Sequence, residues 1–241
     1  YRFNKKTFKM IKIFIKKFFF SFLTPKYNYQ FHKKIYKVKN KSIKRFLNSF
    51  WFLPNSHEFH YWKYTAENIG HGFTQFIKMD DLSVLLLKTV AKYAKKNDKI
   101  LDICCNAGRV LSKLRSKKYV NLHGFDINSL AIKNSKKIFK NLKNAKMKSS
   151  SAESFLQNAK NNSYDVTYTL GASIELLPPT YDVVKNIHRI TKKFFICLIN
   201  TEGHRYPRFW EYEFKKCGFK TLEKINLKKN TRVLFVLKKI N

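Results

Sequence analysis

Acidic residues are scarce in this chain: fifteen Asp and Glu stand against fifty Lys and Arg in 241 residues, a formal charge of +35. The imbalance points toward an anionic partner such as nucleic acid or lipid headgroups. Charge alone does not establish one, because the chain is also crowded with Asn, Ile, Phe and Tyr, which share A/T-rich codons with Lys, and its basic residues run along the whole length instead of forming one stripe. Cysteine is sparse too. Cys104, Cys105, Cys197 and Cys217 offer no CxxC spacing, which excludes zinc ribbons and a disulfide framework and fits a reducing cytoplasm. No apolar run approaches the roughly 20 residues that span a bilayer as a helix. The seven glycines nowhere spell the GxGxxG of a dinucleotide fingerprint, which disfavours a nicotinamide dehydrogenase.

What is present divides into three parts: a basic aromatic extension (1–50), cap and lead-in helices (51–97), and a catalytic domain (98–241). Within the extension, Phe8, Ile11, Ile15, Phe18, Phe19 and Phe22 fall on one helical face and Lys9, Lys12, Lys16 and Lys17 toward the other. The pattern of residues 8–22 fits an interfacial anchor helix with peripheral contact at the inner membrane face; it also fits a basic leader or a helix packed on the domain. A cleaved signal peptide is disfavoured, since Leu23-Thr24-Pro25-Lys26 holds no small-residue cleavage site.

A helix is expected over Asp80–Lys95, with Leu82, Leu85, Leu86, Thr89, Val90 and Tyr93 at helical spacing and Asp80 or Asp81 as its cap. From there short β-rich runs alternate with helical stretches: Lys99–Cys104, Asn121–Asp126, Lys146–Ser149, Asp165–Leu170, Phe194–Ile199, Lys220–Ile225 and Arg232–Leu237. Alternation of this kind predicts an α/β fold with crossover helices on both faces of a parallel sheet. The link Asn226–Thr231 is too short for a parallel crossover, so one of the seven strands must run antiparallel.

The first strand, KILDICC, breaks into Asn106-Ala107-Gly108 before a helix starting near Arg109, a strand-loop-helix junction whose backbone N–H groups face the crevice. Asp126 ends the second strand 24 residues after Asp102, where a carboxylate can bond both hydroxyls of a ribose.

LDICCNAGR, HGFDIN, SSSAESF and YDVTYTLGASIELLPP, in that order, resemble successive motifs of the class I S-adenosylmethionine-dependent methyltransferases, over roughly Asp98 to Leu237. The resemblance implies a Rossmann-like domain with S-adenosyl-L-methionine as cofactor. It sets Asp102 at the acid of the first motif and Gly108 at its last glycine, with Arg109 opening the helix. Cys104 and Asn106 occupy two positions that are usually glycine; cysteine is small, and Asn is the non-glycine residue best suited to a left-handed conformation. By the same resemblance Asp126 holds the ribose, Ile127 packs on the adenine, Ala152 and Glu153 line the adenine pocket, and the backbone of Leu170 and Gly171 faces the methionine part. Ser151 stands where an adenine-binding Asp is common. Glu175 and Pro178 match the tail of the LEHLPP pattern, with Leu176 in place of its histidine, so no catalytic base is assigned.

The expected reaction is direct in-line transfer, in which the protein aligns the acceptor and excludes water. The TLGA after the fourth strand resembles small-molecule or sugar enzymes, and no NPPY-type tetrapeptide of DNA and RNA amino-methyltransferases is present. A small-molecule, sugar or glycan-precursor acceptor is therefore expected, with nucleic acid as the alternative and a catalytically degenerate basic binding module as the second. Contacts to the acceptor are expected from residues 57–62, 64–72, 173–179 and 201–208, which include His60, His71 and His204, under an aromatic cap of Phe59, Tyr61, Trp62, Tyr64, Phe73 and Phe76. The spacing of His57, Glu58, His60 and His71 matches no standard zinc pattern, and no metal is expected.

Overall fold

The computed structural model describes residues 72–171, 173–177, 181–201, 208–227 and 231–240. The anchor-like segment 8–22, the histidines His57, His60, His71 and His204, Pro178, and most of the aromatic cap lie outside the described residues. The chain divides into two units, Tyr1–Gly72 and Phe73–Asn241, and every element below belongs to the second.

After a 3-10 turn at Phe73–Phe76, helix α1 spans Asp81–Tyr93. Asp80 caps it in a reciprocal box: Ser83 N–H donates to Asp80 Oδ1 at 2.8 Å, and Asp80 N–H donates to Ser83 Oγ at 2.8 Å. Its buried positions are Ser83, Leu86, Leu87, Thr89 and Val90, so the inward face is turned slightly from the predicted stripe, with Leu82 and Leu85 at its margin. Strand β1 (Lys99–Ile103), helix α2 (Arg109–Ser116), β2 (Asn121–Asp126), α3 (Ser129–Ile138), β3 (Lys146–Ser149), α4 (Ala152–Asn158), β4 (Tyr164–Leu170), α5 (Val183–Ile190), β5 (Thr191–Asn200), α6 (Trp210–Lys216), β6 (Phe219–Asn226) and β7 (Arg232–Lys239) follow.

The seven strands form one sheet in the order β3-β2-β1-β4-β5-β7-β6. All ladders are parallel except those of β7, which runs antiparallel to β5 on one side and to β6 on the other. The predicted reversed strand is thus β7. The two faces of the sheet follow from alternation along the strands. Ile100, Ile196, Leu198, Leu234 and Val236 pack with α1 and α2. Their neighbours Leu101, Ile103, Phe195, Cys197, Ile199, Val233 and Phe235 pack with α4, α5 and α6.

β5 begins three residues before the predicted start, directly after α5. Thr191 accepts its place in the ladder opposite Tyr164, and a bulge between Tyr164 and Val166 absorbs the offset. Lys192 and Lys193 are responsible for hiding this start, since their exposure breaks the apolar pattern; Lys193 bridges Asp98 at 2.7 Å and Asp165 at 3.1 Å. Two basic side chains close helix ends: Lys239 Nζ donates to the carbonyls of His188 and Thr191 at the end of α5, and Arg189 donates to those of Ala159 and Gln157 at the end of α4. All four cysteines are free thiols. Among the described residues no helix is long and apolar enough to cross a membrane.

Candidate functional site

The crevice lies at the carboxyl ends of β1, β2 and β4, where the order of the sheet reverses between β1 and β4. β1 leads into a turn in which Cys104, Asn106 and Gly108 have φ of 59°, 51° and 89°. Alternate residues are therefore left-handed, the conformation that glycine adopts without strain. Asn106 offsets its strain by accepting Ala107 N–H on its own side-chain oxygen at 2.7 Å. Cys104 has no such aid, and its left-handed backbone costs about 1–2 kcal/mol. The turn is held by Cys105 N–H to Phe125 O and Gly108 N–H to Cys105 O, both 2.9 Å. At Gly108 a side chain would add crowding to the left-handed strain: a Cβ there would stand 3.0 Å from Leu142 and 3.1 Å from Met147.

Asp126, buried at the end of β2, fastens this turn. Its Oδ2 accepts Asn106 N–H and its Oδ1 accepts Asn128 N–H, each at 2.8 Å. Burial pushes its carboxyl up, and the N–H groups of Asn128, Asn106 and Ile127 hold it back. Ile127 follows half-buried, and Asn128 then caps α3 by accepting Ala131 N–H at 3.0 Å.

Asp102 is buried on β1 opposite Tyr168 of β4, whose hydroxyl donates to Asp102 Oδ2 at 2.8 Å. Burial pushes the Asp102 carboxyl well above the usual range; the Tyr168 hydrogen bond pulls it down, Asp126 pushes it up, and Arg109 lowers it slightly. Arg109 itself is turned toward the lead-in segment, donating to Lys78 O at 2.6 Å and Asp80 Oδ2 at 3.2 Å.

After β3, Ser151, where the motif often has Asp, caps α4 by accepting Ser154 N–H at 3.2 Å. Ala152 is buried, Glu153 half-buried in the first turn, and Phe155 stacks on Phe125 at 4.1 Å. β4 ends in half-buried Leu170, and Gly171 N–H donates to Leu198 O at 2.8 Å. Beside Gly171 the Glu175 carboxylate is buried and spanned by two backbone donors, Ser173 N–H at 2.8 Å and Asn200 N–H at 2.9 Å.

These elements meet at Cys104. Burial pushes its thiol well above the ordinary value, and Asp126, Asp102, Glu175 and Glu153 add to the shift in that order. Four of the fifteen acids of a strongly basic chain therefore converge on one crevice. Of the sequence-predicted residues, the structure gathers Asp102, Cys104, Asn106, Gly108, Asp126, Ile127, Ala152, Glu153, Leu170 and Gly171 around these strand ends; Arg109 is adjacent with its guanidinium directed away. Sequence reasoning missed Tyr168, whose only signal was a polar-tipped residue inside an apolar strand, and the locking of Glu175 by two amides. The described histidines are His123, packed edge-on against Tyr164 and pushed down to about 4 by burial and by Lys99 and Lys146, and His188, packed against Phe219. Among the described residues no three His, Cys, Asp or Glu side chains are grouped to hold a metal ion.

Comparison with known proteins agrees with this geometry. A family model described as a methyltransferase domain matches residues 94–233. A TehB-like S-adenosylmethionine-dependent methyltransferase from Corynebacterium glutamicum superimposes with a TM-score of 0.55 at 16% identity, over 67% of this chain and 89% of that one. Magnesium protoporphyrin IX methyltransferase from Synechocystis, solved with bound S-adenosylmethionine, gives 0.61 at 9% identity over 77% and 96%. Geranyl diphosphate C-methyltransferase from Streptomyces coelicolor, in complex with S-adenosylhomocysteine, gives 0.55 at 8% over 65% and 77%. At such identities the likeness is one of fold. No curated protein matches the sequence.

Proposed function

Because the chain belongs to the methyltransferase domain family and is an S-adenosylmethionine-dependent methyltransferase, we propose that it methylates a small-molecule, sugar or glycan-precursor acceptor that brings its own nucleophilic atom. The convergence of Asp102, Asp126, Glu153 and Glu175 carries the cofactor half of this reading: a ligand with sulfonium and ammonium charges suits a low-dielectric crevice lined with carboxylates. Asp126 would hold the ribose hydroxyls, with lone pairs beyond those given to Asn106 and Asn128. Ile127 would pack on the adenine, with Ala152 and Glu153 beside it. The turn at Cys104, Asn106 and Gly108, supported by Asp102, and the backbone at Leu170 and Gly171 would face the methionine part. Arg109 would act indirectly, by tethering Lys78 and Asp80 beside the turn.

When bound, the cofactor supplies a methyl group on an electron-poor sulfur. The work left to the chain is orientation and exclusion of water. Leu176 presents no titrating group where the family pattern has histidine, the Cys104 thiol is held protonated by burial and four carboxylates, and Glu175 is occupied by two amides. An acceptor nucleophilic without a protein base fits such a site. The left-handed turn, kept by Asn106 and Cys104 despite their lost glycines, speaks against a degenerate binding module.

Calorimetric titration of S-adenosylmethionine and S-adenosylhomocysteine into the full chain and into Asp126→Ala tests the site, with thermal melting as the control for folding. Binding that weakens at least tenfold in the variant is expected; a folded wild-type chain that binds neither compound would sink the reading. Radiolabelled methyl transfer to panels of small polar acceptors then tests the acceptor class.

A further inference from the structure

The chain holds fifty Lys and Arg, yet among the described residues the acids of the crevice are paired with none of them. Asp80, Asp98, Asp165, Glu211, Glu213 and Glu223 are ion-paired. Asp81 and Asp182 are exposed at helix starts. The remaining described acids are Asp102, Asp126, Glu153 and Glu175, and three of these, all but Glu153, are buried. A buried carboxylate without a counter-ion is costly, and a cationic ligand offsets that cost.

Glu175 stands apart from the others in its placement. Asp126 ends β2, and Asp102 is bonded to Tyr168, which packs on the α1–α2 face of the sheet. Glu175 approaches from the opposite face: Cys197, of the cluster that packs with α4, α5 and α6, has its thiol pushed up by burial and then by Glu175. The carboxylate is fixed at the junction of β1, β4 and β5. Asn200 N–H at the end of β5 donates to Oε1 and Ser173 N–H to Oε2, while Ser173 Oγ lies 2.6 Å from Thr169 Oγ1, which donates to Ile103 O at 2.9 Å. Each carboxylate oxygen keeps acceptor capacity beyond its amide. A Cβ on Gly171 would collide with Oε1, so the charge lies directly against the backbone at the end of β4. In the sheet order β4 and β5 lie beyond β1 from β2 and β3, which places Glu175 at the end of the crevice remote from the ribose and adenine positions of the proposed pose. At 1% exposure it acts by its field and not by contact, and a charge buried in protein is screened far less than one in water.

We propose that Glu175 is the residue that makes this site prefer S-adenosylmethionine to S-adenosylhomocysteine, as a fixed negative charge held near the sulfonium. The inference rests on the cofactor reading given above and adds a role for one residue. The two ligands differ by one methyl group and one positive charge: on transfer the C–S bond breaks, its electron pair stays on sulfur, and the thioether left behind is neutral. Both keep the same ammonium and carboxylate groups, so a charge serving the ammonium would hold the two alike. A charge serving the sulfonium holds only the methylated form, and spent cofactor loses the attraction that drew in the fresh one, which favours exchange.

The test is calorimetric titration of both ligands into the full-length wild type, Glu175→Gln, Glu175→Asp and Asp126→Ala, with thermal melts as the control for folding. The wild type is expected to bind S-adenosylmethionine at least as tightly as S-adenosylhomocysteine. Glu175→Gln should lose roughly tenfold or more in affinity for the first and less than about threefold for the second. Glu175→Asp keeps the charge and should keep the ratio of the two affinities within about threefold of the wild type, even where both fall. Asp126→Ala, at the ribose end, should weaken both ligands by the same factor. A Glu175→Gln variant that weakens both ligands alike or neither, or a Glu175→Asp variant that loses the ratio as Gln does, would overturn the proposal. So would a wild type that prefers S-adenosylhomocysteine by more than roughly tenfold, a result that needs no variant to fold. A folded wild type that binds neither ligand overturns the cofactor reading and this inference with it; equal loss of both ligands in Asp126→Ala beside an unchanged ratio in Glu175→Gln overturns this inference alone.

Discussion

Replacing Tyr168 by Phe removes one hydroxyl and leaves the ring in place between β1 and the α1–α2 layer. The lost hydrogen bond is the one to Asp102 Oδ2, at 2.8 Å in a buried setting. A hydrogen bond to a charged group contributes about 1.5–3 kcal/mol, so cofactor affinity that depends on an ionised Asp102 should fall roughly ten- to hundredfold. The effect has a definite pH sign. Burial already raises the Asp102 carboxyl, Tyr168 pulls it down, and removing Tyr168 lets it rise further. A cationic ligand favours the ionised carboxylate, so binding must expel a proton wherever Asp102 is protonated in the free chain. The loss in Tyr168→Phe therefore grows as pH falls and shrinks as pH rises. Stability of the ligand-free chain runs the other way: a carboxyl raised on folding favours the folded state while protonated, and that contribution is lost as pH rises from the ordinary carboxylate range through the raised folded value. In the variant the decline extends to higher pH. Calorimetry across pH in buffers of different ionisation enthalpy counts the protons released, and thermal melts follow stability. An affinity loss with no pH dependence and no change in proton release would refute the reasoning, leaving Tyr168 as packing alone.

Two further substitutions probe the backbone of the site. Gly108→Ala places a Cβ on a residue at φ 89° with Leu142 and Met147 at 3.0 and 3.1 Å, and denaturant unfolding should show a loss of about 2–4 kcal/mol; an unchanged midpoint would mean the turn relaxes freely. Gly171→Ala would put a Cβ 2.2 Å from Glu175 Oε1, forcing the carboxylate off the Ser173 and Asn200 amides at a cost of about 1–3 kcal/mol. Methyl transfer or cofactor binding should fall more than the melting temperature does, and a fully active variant would show that Glu175 is not needed there.

The sheet was legible because most strands carry their own pattern. Asn121–Asp126 and Lys146–Ser149 have the predicted boundaries, and the short link to Arg232 implied a reversed strand that is present as β7. The start of β5 was hidden because Lys192 and Lys193 are exposed, and Lys193 answers to carboxylates distant in sequence, Asp98 just before β1 and Asp165 on β4. In the crevice, motif order located the residues but not their partners. Asn106 was foreseen as left-handed; Cys104 was read only as small, although it adopts the same backbone region at φ 59°. Arg109 looked like part of the ligand shell because it opens α2, and its bonds to Lys78 and Asp80 depend on a contact about thirty residues away that no local pattern encodes. Tyr168 and Asp102 meet only through the register of β1 with β4.

The placement of β7 governs the order in which the sheet can be completed. Among the described residues β6 pairs only with β7, and β5 has β7 as its outer neighbour, so the last of these seven strands in chain order fills an interior slot. Until Arg232–Lys239 has emerged, β5 presents an open edge of Phe195, Ile196, Cys197, Leu198 and Ile199, all fully buried in the finished fold. A chain that has not yet made β7 thus carries an adhesive hydrophobic strand that the finished sheet conceals, and is prone to aggregate at that edge.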